Sequence, residues 1–261
     1  MQNVIDIHWW QLVLFSLTLI IPYYINQHYQ LGLLKETLIS LTRMTLQLIL
    51  IGIYLELLFE LNSVWINLAW MFAMVLVGGS AIINKVQFPK RIVLLPIILS
   101  LVAGLIPLMA ILIFGIIQPD PFYHARYMIP LAGMLLGNSI SSNIICLQSY
   151  YSALQERWPE YQAALALGAS PSDATKPFVQ DALNKALSPI LATMATTGLV
   201  TIPGMMTGQI LGGASPIVAI KYQLMIMLAI FVMMSMTITV SLWLVAKRSI
   251  SVEGKPQVSL A

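Results

Sequence analysis

The stretch WPEYQAALALGASPSDATKPF, residues 158–178, interrupts a chain that is otherwise strongly apolar. Pro159 suits the first turn of a helix, and Gly168 is placed to end that helix in a left-handed conformation. Ser170 and Pro171 are typical of the N-cap and first turn of a second helix. The stretch therefore predicts a very short helix, a glycine break and a second helix between two apolar regions.

The composition indicates a membrane protein. Of 261 residues, 59% are hydrophobic and only 9% are charged, and the mean hydropathy is +0.85. A soluble domain carries about 25% charged residues, so too little charge is left here to cover a surface in water. The net charge of +3 comes without a basic, aromatic-rich stripe, which argues against nucleic acid as a partner. The lone Cys146 excludes an intrachain disulfide.

Apolar runs long enough to cross a bilayer recur along the whole chain. The first ten residues contain no Lys or Arg, so we expect the first run to be a retained span and not a signal peptide. The sequence predicts an all-α polytopic protein with about seven spans, of which the sixth is the weakest. The runs lie near residues 9–25, 38–59, 64–83, 92–117, 127–148, 183–202 and 219–245.

The distribution of basic residues predicts the orientation. Arg126 and Lys221 lie in one set of connections, and the opposite set is much more basic. Basic loops stay in the cytoplasm, which predicts an external N-terminus and a cytoplasmic C-terminus. We expect one permease domain over 1–248, with its cytoplasmic loop at 155–181, and a tail at 249–261. The basic set holds Lys35, Lys85, Lys90, Arg91, Arg157, Lys176, Lys185, Lys247, Arg248 and Lys255.

Within the cytoplasmic loop, QAALALGASPSDA resembles the coupling loop of ABC-transporter permeases, whose pattern is Glu-Ala-Ala, three residues, then Gly. Gln162 stands where that pattern has Glu, and Glu160 lies two residues away. A short helix on the membrane surface can transmit movement from a cytoplasmic partner into the bundle. An Ala-rich interfacial helix without a partner is the alternative. The residues predicted to couple to an ATPase are Glu160, Gln162, Ala163, Ala164, Leu165, Gly168 and Ala169.

A narrower resemblance covers about residues 35–245. The stretches TTGLVTIPGMMTGQILGGASPIVAIKYQLM (196–225) and IPLAGMLLGNSI (129–140), with Arg43 and Gln47, resemble the FetB/YbbM family of ABC permeases. The resemblance implies a permease subunit that works with a separate ATPase. It also implies iron export for bacterial members, and aluminium tolerance or UDP-glucose transport for plant relatives.

The segment 203–216 is uncharged and is cut repeatedly by Gly and Pro. Irregular backbone at membrane depth is tolerated where it lines a cavity or is buried in protein, so we expect a gate or pathway here. An ordinary turn between the last two spans is the alternative. The predicted pathway residues are Arg43, Gln47, Glu56, Met134, Asn138, Thr197, Met205, Met206 and Gln209.

Three residues are candidate metal ligands on the pathway: Glu56, Met205 and Met206. Carboxylates bind hard cations, and thioethers bind soft ones. Glu56 and Glu60, one turn apart, could gather a cation at an exit. Snorkelling of the carboxylates and apolar packing of the fifteen Met residues are the alternatives.

The chain contains no GxxxxGK[ST] phosphate loop. We therefore expect no catalytic residue and no cofactor in this chain, with ATP and Mg²⁺ bound by a partner ATPase. The predicted assembly has two permease copies and two ATPase copies in the inner membrane, and it exports a metal ion, iron first. A nucleotide-sugar permease, a partner-independent channel or secondary carrier, and a membrane scaffold or sensor remain as alternatives.

Overall fold

The computed structural model describes residues 6–86 and 90–250, and this part of the chain is almost entirely helical. A 3₁₀ turn, Leu17–Leu19, joins the first two helices, and a π-helical segment, Ile111–Ile117, continues the fifth. The α-helices are α1 (Trp9–Ser16), α2 (Ile20–His28), α3 (Leu34–Leu61), α4 (Val64–Lys85), α5 (Lys90–Ala110), α6 (Ala125–Glu156), α7 (Trp158–Ala166), α8 (Pro171–Thr196), α9 (Gly204–Leu211) and α10 (Pro216–Ser249).

Within the described residues, five helices are long and apolar enough to cross a membrane: α3, α4, α5 with its π-helical extension, α6 and α10. This confirms an all-helical, multi-pass architecture. The predicted first run falls on three consecutive helical pieces, and the predicted sixth run falls on α8, which is more polar. The count of seven spans and the orientation of the chain therefore remain predictions.

The packed body consists of α10 against α5 and α6, with α4 and α8 on the flanks of α6. Close approach between α5 and α10 depends on Gly104, because a Cβ there would lie 2.7 Å from Cγ2 of Thr237. Gly78 has the same role between α4 and α6, where an added Cβ would lie 3.2 Å from Cδ1 of Ile140. Small residues at these crossings let the helix backbones approach closely, and such close packing drives helix association in a membrane, where the hydrophobic effect between helices is absent.

A buried polar cluster joins α6 to α10. The Asn143 side chain donates to Oγ1 of Thr237 at 3.1 Å and accepts from Oγ of Ser241 at 2.6 Å. It also donates to the backbone carbonyl of Ser139 at 2.8 Å. All four residues are fully buried. Since every polar group of Asn143 has a partner, the cluster stabilises one packing arrangement of these two helices.

The first three helices form an arm that is almost unburied. No residue of α1 or α2 is buried, and Leu58 is the buried residue of α3. Leu58 packs with Ala125 and Ile129 of α6, and Tyr54 lies 4.4 Å from Trp70 of α4, centroid to centroid. The apolar contacts of the arm therefore lie near the C-terminal end of α3, and most of its surface is open.

The chain between α8 and α10 departs from a simple span. Helix α8 ends at Thr196, whereas the predicted sixth run extends to residue 202. Gly198 has a positive φ of 91°, and the Thr197 hydroxyl donates to the Thr193 carbonyl at 2.7 Å, so the turn closes on the helix end. The short α9 follows and packs against α10. The Gly/Pro-rich segment is thus a helical hairpin rather than an extended loop.

Candidate coupling surface and transport cleft

Helix α7 is held firmly at the end of α6. Tyr161 is fully buried, and its ring stacks on Trp158 with centroids 4.8 Å apart. The helix ends before Gly168, which has a positive φ of 90°, a conformation that a side chain would strain. Ser170 then caps α8 by accepting from the backbone N–H of Asp173 at 3.1 Å. The helix, glycine break and second helix predicted from the sequence are all present.

The predicted coupling residues fall on two sides of this short helix. Ala164, Leu165 and Ala169 are half-buried and pack against the body. Gln162 and Ala163 are exposed, and so is Leu167, which retains 89% of its accessible surface. We call these three exposed residues the coupling surface. An apolar side chain so open on a rigidly anchored helix is suited to contact another protein.

Arg157 links α6, α7 and α8 at one point, which we call the Arg157 junction. Its guanidinium donates to Oε2 of Glu160 at 2.7 and 3.0 Å and to Oδ2 of Asp181 at 2.9 Å. The same group lies over the ring of Phe178, 5.0 Å from the centroid. A planar guanidinium directs its N–H donors in a fixed fork and can stack on a ring at the same time, whereas an ammonium has no such plane. Movement of α7 is therefore connected directly to α8.

Charge at this junction is stabilised by its own hydrogen bonds. The side-chain hydrogen bond from Arg157, followed by its positive charge, lowers the pKa of the Glu160 carboxyl below its ordinary value. The hydrogen bond to Glu160 correspondingly raises the pKa of the Arg157 guanidinium. Both groups are solvent-exposed, so the pair orients side chains more than it stabilises the fold.

Helix α3 is fastened to the α4–α6 pair at both ends. Near its C-terminal end, Phe59 lies under the guanidinium of Arg126, 5.6 Å from the ring centroid. Near its N-terminal end, Glu36 forms an ion pair with Lys85, the last residue of α4. The carbonyl of Lys85 in turn accepts from the Gln148 side chain of α6 at 2.7 Å. In the middle of α3, between these two attachments, the residues are exposed or at most half-buried.

Arg43 and Gln47 lie in that middle region, on the side of α3 that faces the body. Successive residues of a helix turn by about 100°, which places both within about 60° of Leu58, the buried contact residue. Gln47 lies about 20 Å from either end of α3, in the middle of this candidate membrane span. Both side chains are exposed, and within the described residues neither has a hydrogen bond or ion pair. Polar groups at this depth call for a partner other than lipid.

One face of α6 is also polar and open. Gly137, Asn138 and Ser141 are exposed, and a Cβ at Gly137 would meet nothing within 4 Å. Asn138 donates only to the Met134 carbonyl of its own helix, at 2.8 Å, so its side-chain oxygen is unused among the described residues. Asn138 lies about 180° around α6 from Ile129, the residue that packs with Leu58 of α3. Within the described residues, no hydrogen bond or ion pair joins the predicted pathway residues Arg43 and Gln47 of α3 to Met134 and Asn138 of α6.

The remaining predicted pathway residues lie elsewhere. Glu56 is exposed on α3, about 140° around the helix from Arg43. Met205, Met206 and Gln209 are half-buried on α9, and the side-chain oxygen of Gln209 is buried without a hydrogen-bond partner. Thr197 closes the end of α8. Among the described residues, no group of three or more His, Cys, Asp or Glu side chains is placed to hold a metal ion.

Sequence reasoning missed two features of the site. It treated Arg157 only as a basic loop residue, although three acidic or aromatic partners converge on it. Gln223 of α10 was not selected, yet it is buried and its side-chain oxygen lacks a partner. A glutamine inside an apolar span was the available signal for the second. No pattern in the chain could have indicated the first, because Asp181 is 24 residues away.

Comparisons with known proteins identify the family. Residues 9–250 match the description "Uncharacterised protein family (UPF0014)". The chain is 37% identical to Protein ALUMINUM SENSITIVE 3 of Arabidopsis thaliana, covering 83% of this chain and 76% of that protein. It is 31% identical to UPF0014 membrane protein YjkA of Bacillus subtilis, covering 81% and 84%.

A third relative is the probable iron export permease protein FetB of Escherichia coli. It is 28% identical to this chain, and the alignment covers 82% of each protein. No solved structure matches the chain. With a family match that extends over almost all of its length, the chain is a multi-pass membrane protein of the UPF0014 family.

Proposed function

We propose that this protein is the membrane subunit of an ATP-driven exporter whose ATPase is a separate chain. The observation that carries the proposal is the coupling surface on α7. This surface projects from a helix that Tyr161 and the Arg157 junction fix to both α6 and α8. A partner that presses on α7 would therefore move two long helices of the bundle together.

In the proposed assembly, two copies of the permease and two ATPase subunits switch the bundle between inward and outward access. The α7 side of the membrane is cytoplasmic, in agreement with the basic residues of the loops. The spans number seven when α1–α2 and α8 are counted. ATP and Mg²⁺ are bound by the partner, and this chain itself carries out no covalent chemistry.

Iron is the first candidate for the cargo, because one relative is named a probable iron export permease. Plant relatives in the same family are named differently, so the family alone does not determine the cargo. A nucleotide sugar is the second candidate, and the exposed guanidinium of Arg43 on α3 favours it, because a guanidinium binds phosphate oxygens.

The test is reconstitution of the chain with its ATPase in inside-out vesicles, followed by measurement of ATP-dependent iron uptake. Uptake that stops with a hydrolysis-dead ATPase supports the whole proposal. If no ATPase binds the purified chain and solute still crosses the membrane, the protein is a channel or secondary carrier and not the subunit of an ATP-driven exporter. ATP hydrolysis without iron uptake would support the assembly with an ATPase and indicate an organic solute as the cargo.

The coupling surface has a sharper test in Ala163→Arg than in a substitution of Ala164. Ala163 is exposed, whereas Ala164 packs against the body, so only the first variant leaves the fold untouched. Ala163→Arg should abolish ATPase binding and leave thermal stability unchanged. Lys176→Ala, another exposed position on the same side, is the matched control. Normal ATPase binding by Ala163→Arg would exclude the coupling surface as the ATPase contact.

A further inference from the structure

We infer that a groove between α5 and α10 binds one acyl chain of an anionic phospholipid, whose phosphate is held by Lys221. The groove has a volume of about 430 Å³ and is lined by α5, its π-helical extension and α10. Among the described residues that line it, Lys221 alone is charged, and the others are apolar. The inference goes beyond the proposed function, because it concerns a bound lipid and neither the cargo nor the ATPase.

The groove begins where the close contact between α5 and α10 ends. At Gly104 an added Cβ would lie 2.7 Å from Cγ2 of Thr237, so the two helices touch there. The lining starts one turn farther along α5, at Leu108. Pro107 lies between these two points, and the α-helix changes to the π-helix at Ile111. A proline inside a helix bends it, and a π-helical turn is wider, so α5 does not follow α10 as a regular helix beyond Gly104.

The groove has a buried floor and open walls. Leu108, Leu112 and Ala229 form the floor, and each exposes 8% or less of its surface. On the walls, Ile111 of the π-helical segment retains 56% and Leu228 of α10 retains 51%. Both helices are candidate membrane spans. The open side of the groove therefore faces the hydrocarbon of the bilayer and not water.

The dimensions of the groove fit a single hydrocarbon chain. From Lys221 to Val232 it covers eleven residues of α10, or about 16 Å, which is about half of the hydrocarbon core of about 30 Å. Its volume divided by this length gives a cross-section of about 27 Å², or a width of about 5 Å. Carbon atoms in contact lie about 3.5–4 Å apart, so one extended chain can enter. A helix of a second copy, about 10–12 Å in diameter, is too wide.

Lys221 provides a charge at the polar end of the groove. Helix α10 has 34 residues and is about 51 Å long, so about 10 Å extends beyond the hydrocarbon core at each end when the helix is centred. Lys221 is about 8 Å from the start of α10, which places it at the level of the lipid headgroups.

This lysine is free to bind a phosphate. It is exposed, and among the described residues it has no hydrogen bond, ion pair or aromatic partner. An ammonium group is a compact charge with three donors, which binds phosphate oxygens. A lipid whose acyl chain fills the groove has its phosphate beside this group. An anionic lipid is favoured, because its headgroup carries no ammonium that competes for the phosphate.

The experiment counts the lipids bound to the full-length protein in a mild detergent by native mass spectrometry. The probes are phosphatidylglycerol, diacylglycerol, which has the acyl chains without the phosphate, and inorganic phosphate, which has no chain. We expect one phosphatidylglycerol to bind each protein chain, and the other two probes to bind at least about tenfold more weakly. Lys221→Gln should weaken phosphatidylglycerol binding by about tenfold, and Lys221→Arg should retain it, because it keeps the charge.

A second variant tests the groove and leaves the charge in place. Leu228→Trp enlarges an exposed wall residue, so it should fill the groove and weaken phosphatidylglycerol binding several-fold. Its matched control is Leu99→Trp, at a leucine of α5 that is 46% exposed and lies outside the lining. Lys185→Gln, at an exposed lysine of α8, is the control for charge. Both controls should bind the lipid as the parent does, and thermal unfolding shows whether each variant is folded.

Three results would overturn the inference: phosphatidylglycerol binding that is indifferent to Lys221→Gln and Leu228→Trp, an equal loss in the control variants, or equally tight binding of diacylglycerol or inorganic phosphate. A dimer that dissociates in Leu228→Trp while lipid binding is unchanged would assign the groove to a second copy and would also overturn it. ATPase binding is a separate measurement on the same variants, because the coupling surface lies on α7 and the groove lies on α5 and α10.

Discussion

Asn138 and Asn143 lie five residues apart on α6 and have opposite environments. Asn143 is fully buried and bonded to Thr237 and Ser241 of α10. Asn138 is exposed and bonds only the backbone of its own helix. The same side chain therefore stabilises the bundle at one position and remains available to a ligand at the other. In a membrane protein, the hydrogen-bond partners of a polar side chain distinguish a structural role from a ligand-binding role better than the residue type does.

The largest effect should come from removing the buried amide. Asn143→Ala removes the bonds between α6 and α10 and leaves Ser241 and Thr237 only their own backbone carbonyls in a buried region, which costs about 1–3 kcal/mol of folding free energy. Thermal unfolding in detergent should show a clearly lowered midpoint. The paired variant Asn138→Ala should unfold within about 0.5 kcal/mol of the parent and yet lose ATP-dependent transport. Equal stability of the two variants would contradict the assignment of a structural role to Asn143 and not to Asn138.

Two glycines provide the same comparison between a packed position and an open one. Gly104→Ala forces a Cβ against the stiff side chain of Thr237, and overpacking of this kind costs about 1–3 kcal/mol. Gly137→Ala meets open space in the middle of a helix and should leave stability equal or raise it by up to about 1 kcal/mol. Unfolding measurements on both variants provide the check. A destabilised Gly137→Ala would mean that this face of α6 is packed and not open.

Arg157→Ala should separate ATP hydrolysis from transport while changing stability little, since the ion pairs are exposed. The expected result is an ATPase that still binds and hydrolyses, with several-fold less transport for each ATP. Arg157→Lys keeps the charge but not the fork and should rescue only part of the coupling. Coupling equal to the parent in Arg157→Ala would exclude the junction as the connection between α7 and α8.

The smallest effect concerns pH. Because the Arg157 hydrogen bond lowers the pKa of Glu160, this carboxyl stays charged at pH values where an unpaired Glu begins to take up a proton. The pair is therefore complete above the ordinary Glu pKa of about 4.3 and is lost only as the pH falls further. Coupling should be flat from about pH 8 to pH 5. An NMR titration should give Glu160 a higher pKa in Arg157→Ala than in the parent.

The sequence was informative wherever structure depends on neighbours in the chain. Pro159, Gly168 and Ser170 predicted the α7–α8 corner correctly, because caps and breaks are local. Hydropathy identified the five long apolar helices for the same reason. It could not show that the exposed hairpin after α8 folds into α9, or that α8 ends at Thr196, since both depend on turn geometry.

Contacts between distant segments were beyond the sequence. Arg43 and Asn138 were each selected as polar residues in apolar spans, but nothing in either span indicated which neighbour each would have. The position of α3 depends on its two attachments, at Glu36–Lys85 and at Phe59–Arg126. The Arg157 junction depends likewise on the path of the chain around α7. All of the predicted pathway residues and metal ligands remain predictions.

The central claim is that the α6 surface around Asn138 faces an aqueous path, whereas the surface around Asn143 is packed. It is tested most directly by cysteine labelling in intact membranes. The single native Cys146 is buried and can be replaced by Ala, which leaves one introduced thiol in each protein. Asn138→Cys should react with a membrane-impermeant maleimide, and Asn143→Cys should not. An unreactive thiol at 138, or equal reactivity at both positions, would contradict the account.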